Sequence, residues 1–421
     1  VVGVSTASAQ ALGGNARRKH GGDNDVETLE AAEKSNGGPW SAVDGLYDGE
    51  RPSAFAYAKA DQVNINTKGA IVAKGNGVYA MSYANAEAQA EDGRAVALAK
   101  ADDVNVTVRD DVTAGKTGVY AGSVAEANAN NGAGVERTSQ GNVSVAIKKG
   151  TVTGGSGYYG VAVVGGNHNR ITIGSDGAVT SASNHAIYGG DQDEIVSNKG
   201  MVIGNVDLGG GSNAFNNKSS GSFYTAKTVD LNGGLLTNSG LLSPGGSGKF
   251  QTTNLNGSLR QTGSGKYEVD VDQKNAKSDR IKATGTAALK GKVLPTVIAN
   301  PKSGKTKVTI VSAAGGASTS AKVKDTALVD YSVKRSGSNN VELRMNTNFA
   351  ASGLNKEGRS VGQALNSAFA GSGSSSLEQL GLLLVNAEDL GYVANAYAQL
   401  NGENYRALPL STLYAACLLY T

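Results

Sequence analysis

Two stretches of the chain, "AFAYAKADQVNIN" at residues 54–66 and "AVALAKADDVNVT" at residues 95–107, are copies of one another. The match continues without gaps through "GVYAMSYANAEA" at 77–88 and "GVYAGSVAEANA" at 118–129. With position 95 aligned to position 54 and the same offset kept throughout, 17 of the 35 positions from 54 to 88 are identical. Such a repeat predicts a solenoid or a propeller, in which each unit completes the apolar interior of its neighbour.

Strand-like segments recur downstream and start at Val63, Val104, Val143, Ile171 and Ile195, so that each interval is shorter than the one before it. The Gly, Asn and Asp residues between them tolerate positive φ at corners, which favours β repeats over helical ones. A propeller would keep a steady period of about 40 to 45 residues, whereas this spacing falls. We therefore predict an all-β chain built as a right-handed parallel β-helix, with rungs about 4.8 Å apart.

Alanine occupies every second position of "YANAEAQAEDGRAVALAKAD" (83–102) on both sides of Asp92-Gly93. On a strand this spacing places all the alanines on one face. A two-residue turn at Asp92-Gly93 would put Ala90 opposite Ala95. A hairpin and two consecutive strands of the repeat both satisfy the pattern, and either would form a flat stacking surface.

Composition excludes several classes of protein. The single cysteine, Cys417, excludes a disulfide framework and any cysteine-based zinc site, and no cofactor or metal site is predicted. The net charge of +3 arises from 39 basic and 36 acidic residues scattered along the chain, which argues against a nucleic-acid-binding protein. No run of about 18 apolar residues is present, so the sequence predicts no transmembrane helix.

Residues 1–11, "VVGVSTASAQA", have small residues spaced as in a signal-peptide cleavage site at Ala9-Gln10-Ala11. We interpret them as the remnant of a signal peptide. Residues 12–50 then form an irregular N-terminal segment, and residues 51–230 form the repetitive β-helical stalk.

From Leu231 the character of the sequence changes. The segments "GLLSPG" (240–245), "LNGSLRQTGSGKYEVDVD" (255–272), "SDRIKATGTAALKGKV" (278–293) and "TKVTIVSAAG" (306–315) are followed by the helix-compatible stretches "NKEGRSVGQALNSAF" and "LEQLGLLLVNAEDLGYVANAYAQLNGENYRAL". This combination resembles the C-terminal part of the passenger domains of pertactin-like autotransporters, the type V secretion proteins of Gram-negative bacteria. The resemblance covers residues 231–408.

The resemblance implies a capping β region at 231–348 and a helical linker at 349–408 that leads toward an outer-membrane barrel. Capping agrees with the need to cover the open strand edge of a β-helix. It also implies export through the periplasm to the cell surface, the outer membrane or the medium. The tail 409–421, "PLSTLYAACLLYT", departs from the family pattern, and we interpret it as a truncated or non-native end.

For the stalk we expect a non-enzymatic function, namely adhesion to surface glycans or proteins, or self-association of the kind that builds biofilms. The alternative is a β-helical polysaccharide lyase or hydrolase, which needs clustered carboxylates. The densest acidic cluster of the repeats, "GGDQDEIV", contains Asp191, Asp193 and Glu194. The other interpretation of this cluster is a polar turn that opens the next strand. A third possibility is a secretion scaffold for an active segment within residues 12–50 or before Val1.

Three further features could serve binding. His168 and His185 are separated by close to the length of one rung, so they could stack on one another, or both could be turn residues. The stretch 274–307 holds nine Lys or Arg residues and one acid, Asp279, and could contact acidic glycans or form a solvated face. Tyrosines that recur at one place in the repeat could form an exposed ladder for sugars or a half-buried stack: Tyr79, Tyr120, Tyr159 and Tyr188.

Overall fold

The computed structural model describes residues 1–12, 15–16, 54–90, 95–130, 134–370 and 375–401. The chain divides into two compact units, Val1–Gly240 and Leu241–Thr421. The described residues are mostly β-strand, which confirms the predicted all-β class. The sequence indicated a change of character at Leu231, and this residue lies inside a strand, Ser222–Asn238, of the first unit.

The first unit contains nineteen strands within the described ranges. Their bounds are β1 Val2–Leu12, β2 Asn15–Ala16, β3 Ala54–Lys59, β4 Val63–Asn66, β5 Ile71–Ala73, β6 Val78–Gln89, β7 Ala95–Lys100, β8 Val104–Val108, β9 Val112–Ala114, β10 Val119–Asn130, β11 Val135–Ser139, β12 Val143–Gly154, β13 Val161–Gly165, β14 His168–Ser181, β15 His185–Tyr188, β16 Asp193–Asn198, β17 Met201–Asp207, β18 Ala214–Asn217 and β19 Ser222–Asn238.

These strands pair in parallel and in register to form three columns. The first column contains β4, β8, β12, β14, β16 and β18, followed by the end of β19. The second contains β5, β9, the later parts of β12 and β14, then β17 and β19. The third contains β1, β6, β10, β13 and β15, followed by the ends of β17 and β19. From Val63 onward, each passage of the chain through the three columns is called a rung.

The inward side chains of the three columns form the core. Along most of their strands buried and outward residues alternate, because successive side chains of a strand point to opposite sides. Inward positions hold mainly branched aliphatic residues, such as Val106, Ile147 and Val179, and the later rungs insert Phe215 and Phe223, whose rings stack 4.3 Å apart. β-branched side chains suit such a half-buried pleated surface.

The alternating alanines form a separate layered structure. The C-terminal parts of β1, β6 and β10 form one parallel three-stranded sheet, and β3, β7 and β11 form another. The two sheets pack face to face through buried alanines such as Ala86 and Ala97, both of which are 0% exposed. We call this structure the alanine plate.

The alanine plate decides between the two interpretations of residues 83–102, a hairpin and two consecutive strands of the repeat. Residues 83–89 and 95–100 lie in different sheets rather than in one hairpin ladder, since each strand pairs in parallel with its counterparts in other repeats. Asp92 and Gly93 themselves lie outside the described residues. The plate also explains why the repeat spacing falls: only the first two rungs carry the extra strands, and later rungs omit them.

Residues 2–12 pair with β6 along their whole length, from Val2 opposite Tyr79 to Leu12 opposite Gln89. This differs from the expectation of a signal-peptide remnant. The small residues that suggested a cleavage site follow the alternation of the repeat, so that Ala9 lies opposite Ala86 in the alanine plate. The predicted irregular segment 12–50 lies outside the described residues, apart from Leu12 and Asn15–Ala16.

Buried amides stabilise the later rungs of the first unit. Asn198, Asn217 and Asn238 occupy equivalent inward positions in successive rungs of the first column. The Nδ2 of Asn198 donates to the Oδ1 of Asn217 at 2.9 Å, and the Nδ2 of Asn217 donates to the Oδ1 of Asn238 at 2.8 Å. Such a ladder satisfies polar groups that burial would otherwise penalise.

In the second unit, the described strands are β20 Leu241–Pro244, β21 Thr252–Gln261, β22 Lys266–Asp272, β23 Lys277–Ser278, β24 Arg280–Ala283, β25 Ala287–Leu289, β26 Lys292–Ala299, β27 Gly304–Ala313, β28 Ala317–Thr319, β29 Val329–Ser336 and β30 Asn340–Thr347. β20, β22 and β26 continue the parallel pattern, as do β21, β24 and β27. The unit then changes to antiparallel pairing, because β30 lies between β27 and β29.

Three helices follow within the described ranges: α1 Lys356–Ala370, α2 Ser375–Val385 and α3 Leu390–Leu400. Asp389 caps α3, since its carboxylate accepts the backbone N–H of Gly391 at 2.8 Å. None of these helices is both long and apolar enough to cross a membrane. Residues 402–421, which include the predicted tail 409–421, lie outside the described residues.

Candidate binding surface

The outward side of the first column is a flat surface of short, mostly polar side chains, which we call the polar face. Parallel in-register pairing places equivalent outward residues next to one another in every rung. Asn105 and Asn64 illustrate this, since the Nδ2 of Asn105 donates to the Oδ1 of Asn64 at 3.1 Å. The polar face has two outward rows. The first row contains Asn64, Asn105, Ser144, Arg170, Ile195 and Ala214. The second row contains Asn66, Thr107, Ala146, Thr172, Ser197 and Asn216.

A row of cations borders the C-terminal end of the polar face. In five of the six rungs from β4 to β18, an exposed basic residue follows the strand of the first column, and in the fourth rung Gly174 takes that place. We call this row the basic stripe: Lys68, Arg109, Lys148, Lys199 and Lys218. Backbone bonds between rungs continue past the strand ends, for example from the N–H of Lys218 to the carbonyl of Asn198 at 2.8 Å.

The opposite end of the polar face carries carboxylates, and we call it the acidic corner: Asp61, Asp102, Asp103, Asp191 and Asp193. Two of them cap the next rung. The Oδ1 of Asp103 accepts the N–H of Asn142, and the Oδ1 of Asp193 accepts the N–H of Ser212, both at 2.7 Å. Serine hydroxyls also position this corner, since the Oγ of Ser82 accepts the N–H of Asp102 at 2.9 Å.

The three candidate acids of the predicted cluster do not converge. Asp191 lies exposed in the turn before β16, Asp193 points outward, and Glu194 is 0% exposed in the interior. Adjacent strand residues point to opposite sides, which separates Asp193 from Glu194. The polar-turn interpretation therefore describes Asp191 and Asp193, and the structure does not bring the three carboxylates into one groove.

Glu194 belongs to a buried polar network. Its Oε1 accepts the Nδ2 of Asn169 at 2.9 Å, and its backbone N–H donates to the Oδ1 of Asn213, also at 2.9 Å. The Oε2 of Glu194 has no hydrogen-bond partner. Burial raises the pKa of Glu194 to about 7, against the opposing effect of the Asn169 hydrogen bond.

A raised carboxyl pKa predicts that the first unit loses stability as the pH rises. Glu194 favours folding fully below its ordinary pKa of 4.5, and this contribution disappears as the pH passes through about 7. The change amounts to about 3 kcal/mol at most. Glu194→Gln, which is neutral at every pH, should remove this slope in urea titrations between pH 4.5 and 8. Glu87→Gln, at an exposed outward site of β6, should keep the slope. An unchanged slope in Glu194→Gln would contradict the assignment.

The two histidines lie apart rather than stacked on one another. His168 begins β14 at the acidic corner, where its Nε2 lies 4.0 Å from the Oδ2 of Asp193. His185 begins β15 in the third column, and its ring stacks on Tyr159 with the centroids 5.5 Å apart.

The recurrent tyrosines form two half-buried pairs on the outside of the third column. The rings of Tyr79 and Tyr120 lie 5.3 Å apart and within 10° of parallel, and those of Tyr159 and Tyr188 lie 4.9 Å apart. Each tyrosine turns one ring face to its partner, and all four side chains are half-buried. The half-buried alternative of the sequence analysis therefore describes these residues.

The basic stretch 274–307 lies in the second unit, where most of its lysines are exposed. Asp279, its only acid, is 0% exposed, and its two oxygens accept the backbone N–H groups of Gln251 at 2.7 Å and Asp270 at 2.9 Å. Burial raises the pKa of Asp279 to about 7. These bonds join three segments of the unit, so the structure indicates a scaffold residue at this position.

The sequence analysis missed the basic stripe. A usable signal was present, because a basic residue follows each strand copy in "NINTK", "VTVR", "VAIK", "VSNK" and "FNNK".

Within the described residues, no group of three or more His, Cys, Asp or Glu side chains could hold a metal ion. No protein-family model matches the chain, and no curated protein matches it with significant similarity.

Proposed function

We propose that this chain is a surface-displayed autotransporter passenger without enzymatic activity, which acts in adhesion or self-association through an extended right-handed parallel β-helix. In this proposal residues 51–230 are the stalk, residues 231–348 its cap and residues 349–408 the linker toward an outer-membrane barrel. The proposed route runs through the periplasm to the surface of a Gram-negative bacterium.

Two features of the pairing support the β-helix. Three columns of parallel strands recur in the same order along the chain, and every rung buries aliphatic residues toward a common interior. In the second unit, the change to antiparallel pairing at β27, β30 and β29 is the kind of ending that closes an open strand edge. The resemblance of residues 231–408 to passenger domains supports the secretion route.

The observation that carries the binding function is the polar face with its borders of opposite charge. A flat, regular array of hydroxyl and amide groups can make many weak contacts at once, and multivalent contacts add up to avidity. Charged borders steer and orient a partner. The separation of Asp191, Asp193 and Glu194 supports a non-enzymatic function, because acid-base hydrolysis needs two carboxyl groups that face the same bond.

The test is to display the full chain on cells and to purify it in parallel. We expect cell aggregation or binding to glycan and matrix-protein arrays, together with no hydrolysis of polysaccharides. Simultaneous replacement of Asn105, Thr107 and Ser197 by glutamate, on the polar face, should reduce aggregation or binding. Polysaccharide hydrolysis that Asp193→Asn abolishes would contradict the proposal and support the enzyme.

A further inference from the structure

We propose that the basic stripe binds a linear acidic polysaccharide that carries a carboxylate on its repeating sugars. The inference deepens the proposed adhesive function and rests on it, because it names the chemical class of the partner. Its basis is the position of the five cations, their freedom from ion pairs, and the polar groups beside them.

The first argument is the regular position of the cations. Each follows a residue that pairs in register with the next rung, for example Val108 with Ile147 and Asn198 with Asn217. Parallel strands lie about 4.8 Å apart, so neighbouring rungs present their cations at nearly that interval. The row runs across the strands rather than along them. A single file of charges of this kind matches a polymer with regularly spaced anionic groups better than it matches a compact ion.

The second argument is that the row is electrostatically unfavourable by itself. Ion pairs within 4.0 Å among the described residues join His168 to Asp193, Lys324 to Glu388 and Arg344 to Glu342, and none involves the stripe. Like charges on adjacent strands repel one another. A polyanion that lay along the row would remove this repulsion and release its own counterions, as polyanions do when they bind cationic proteins.

Acids near the row are few and partly occupied. Asp110 and Asp111 follow Arg109, and the Oδ1 of Asp111 accepts the N–H of Thr151 at 2.7 Å. Asp176 lies opposite Lys149 on the adjacent strand. The Nε of Arg109 donates to the Oδ1 of Asn66 at 3.0 Å, which leaves the terminal amino groups of the guanidinium for a ligand.

The third argument concerns the neighbours of the stripe and distinguishes between polyanions. Short polar side chains of the polar face lie directly beside the cations, among them Asn66, Thr107 and Ser197. Hydroxyl and amide groups suit the hydroxyl groups of sugars. The tyrosine pairs lie at the third column, on another side of the rungs, so they do not supply a platform for nucleobases beside the row.

A second copy of the chain is a less suitable partner. The acidic corner would be the surface that meets the stripe, yet its aspartates occupy only the first, second and fifth rungs. Asp103 and Asp193 already accept backbone N–H groups. The aspartates of the acidic corner, present in three rungs, therefore cannot pair one to one with the five cations of the basic stripe.

The experiment compares the full chain with two variants, each of which carries five substitutions to glutamine. The stripe variant changes the five residues of the basic stripe. The control variant removes the same net charge from exposed lysines elsewhere in the first unit: Lys59, Lys74, Lys100, Lys116 and Lys227. Circular dichroism checks that all three proteins are folded. Calorimetry then measures binding to polygalacturonate and to neutral dextran at low and high salt, and sedimentation velocity measures self-association.

We expect the wild type to bind polygalacturonate and not dextran, with affinity that decreases as salt increases. The stripe variant should lose about tenfold or more in affinity, as the sum of five exposed charge contacts, while the control variant should match the wild type.

Equal losses in the two variants, or no binding of polygalacturonate by the wild type, would overturn the inference. Loss of self-association in the stripe variant alone, without any wild-type binding of polygalacturonate, would overturn it in favour of a second copy. In that case, or if the wild type binds another partner, the proposed adhesive function stands. Absence of binding and of self-association in every assay would overturn both.

Discussion

Alanine in place of Asn217 is expected to lower the free energy of unfolding of the Val1–Gly240 unit by about 3 kcal/mol. Asn217 lies in the middle of the buried amide ladder, where it accepts from Asn198 and donates to Asn238. The substitution removes both hydrogen bonds and leaves a small cavity between rungs. Urea denaturation, followed by the β-sheet signal in circular dichroism, measures the effect.

Asn216→Ala is the matched control, because Asn216 is the adjacent residue on the same strand and points outward. It should change the free energy of unfolding by no more than about 0.5 kcal/mol. Equal effects of the two substitutions would contradict the inward position of Asn217 and with it the alternation assigned to β18.

Leucine in place of Ala86 is expected to destabilise the same unit by about 3 kcal/mol, the upper part of the usual range for overpacking. Ala86 is 0% exposed on the central strand of one plate sheet, and it faces a second sheet whose strands β3 and β7 also present alanine inward. Sheets that pack through larger side chains lie about 10 Å apart, whereas an all-alanine interface leaves no room for three additional carbon atoms. The sheets would therefore have to separate.

Glu87→Leu places the same side chain on the outward side of the same strand, where Glu87 is exposed. Its expected effect on the free energy of unfolding is small. Thermal and urea denaturation of both variants test this difference. Tolerance of leucine at position 86 would contradict face-to-face packing of the two alanine sheets.

The repeat offset predicted the pairing of the first two rungs correctly. The offset that aligns the two copies in the sequence reappears as the register of four strand pairs, for example Ala54 with Ala95 and Val63 with Val104. The physical reason is that parallel in-register stacking places equivalent residues next to each other, so both copies meet the same packing requirement. The constant offset between identical residues therefore gives the register of the paired strands directly.

The residue pattern alone did not predict the alanine plate. Alternation fixes which face of a strand is apolar, but it does not identify the surface that covers that face. Ala86 and Ala97 would occupy one face in a hairpin, and in the structure they lie in two different sheets that share one buried cluster. The same ambiguity affected residues 1–11, since small residues at every second position satisfy both a cleavage motif and a strand of the plate.

The candidate surface was predicted only in part. Asp191, Asp193 and Glu194 lie close together in the sequence, but Asp191 lies in the turn before β16, Asp193 points outward and Glu194 lies inside. The partners that stabilise it, Asn169 and Asn213, belong to neighbouring rungs, and their proximity follows from register rather than from local sequence. The basic stripe depends on register in the same way.

Disulfide cross-linking tests the central claim, in-register parallel stacking of rungs, most directly. In a Cys417→Ser background, cysteines at Asn105 and Ser144 would lie on adjacent rungs, about 4.8 Å apart between backbones, which a disulfide spans. Cysteines at Asn105 and Arg170 would be two rungs apart and beyond its reach. We predict rapid, complete oxidation of the first pair and none of the second under the same conditions. Equal cross-linking of both pairs, or preferential cross-linking of the second, would contradict the stacking of the rungs.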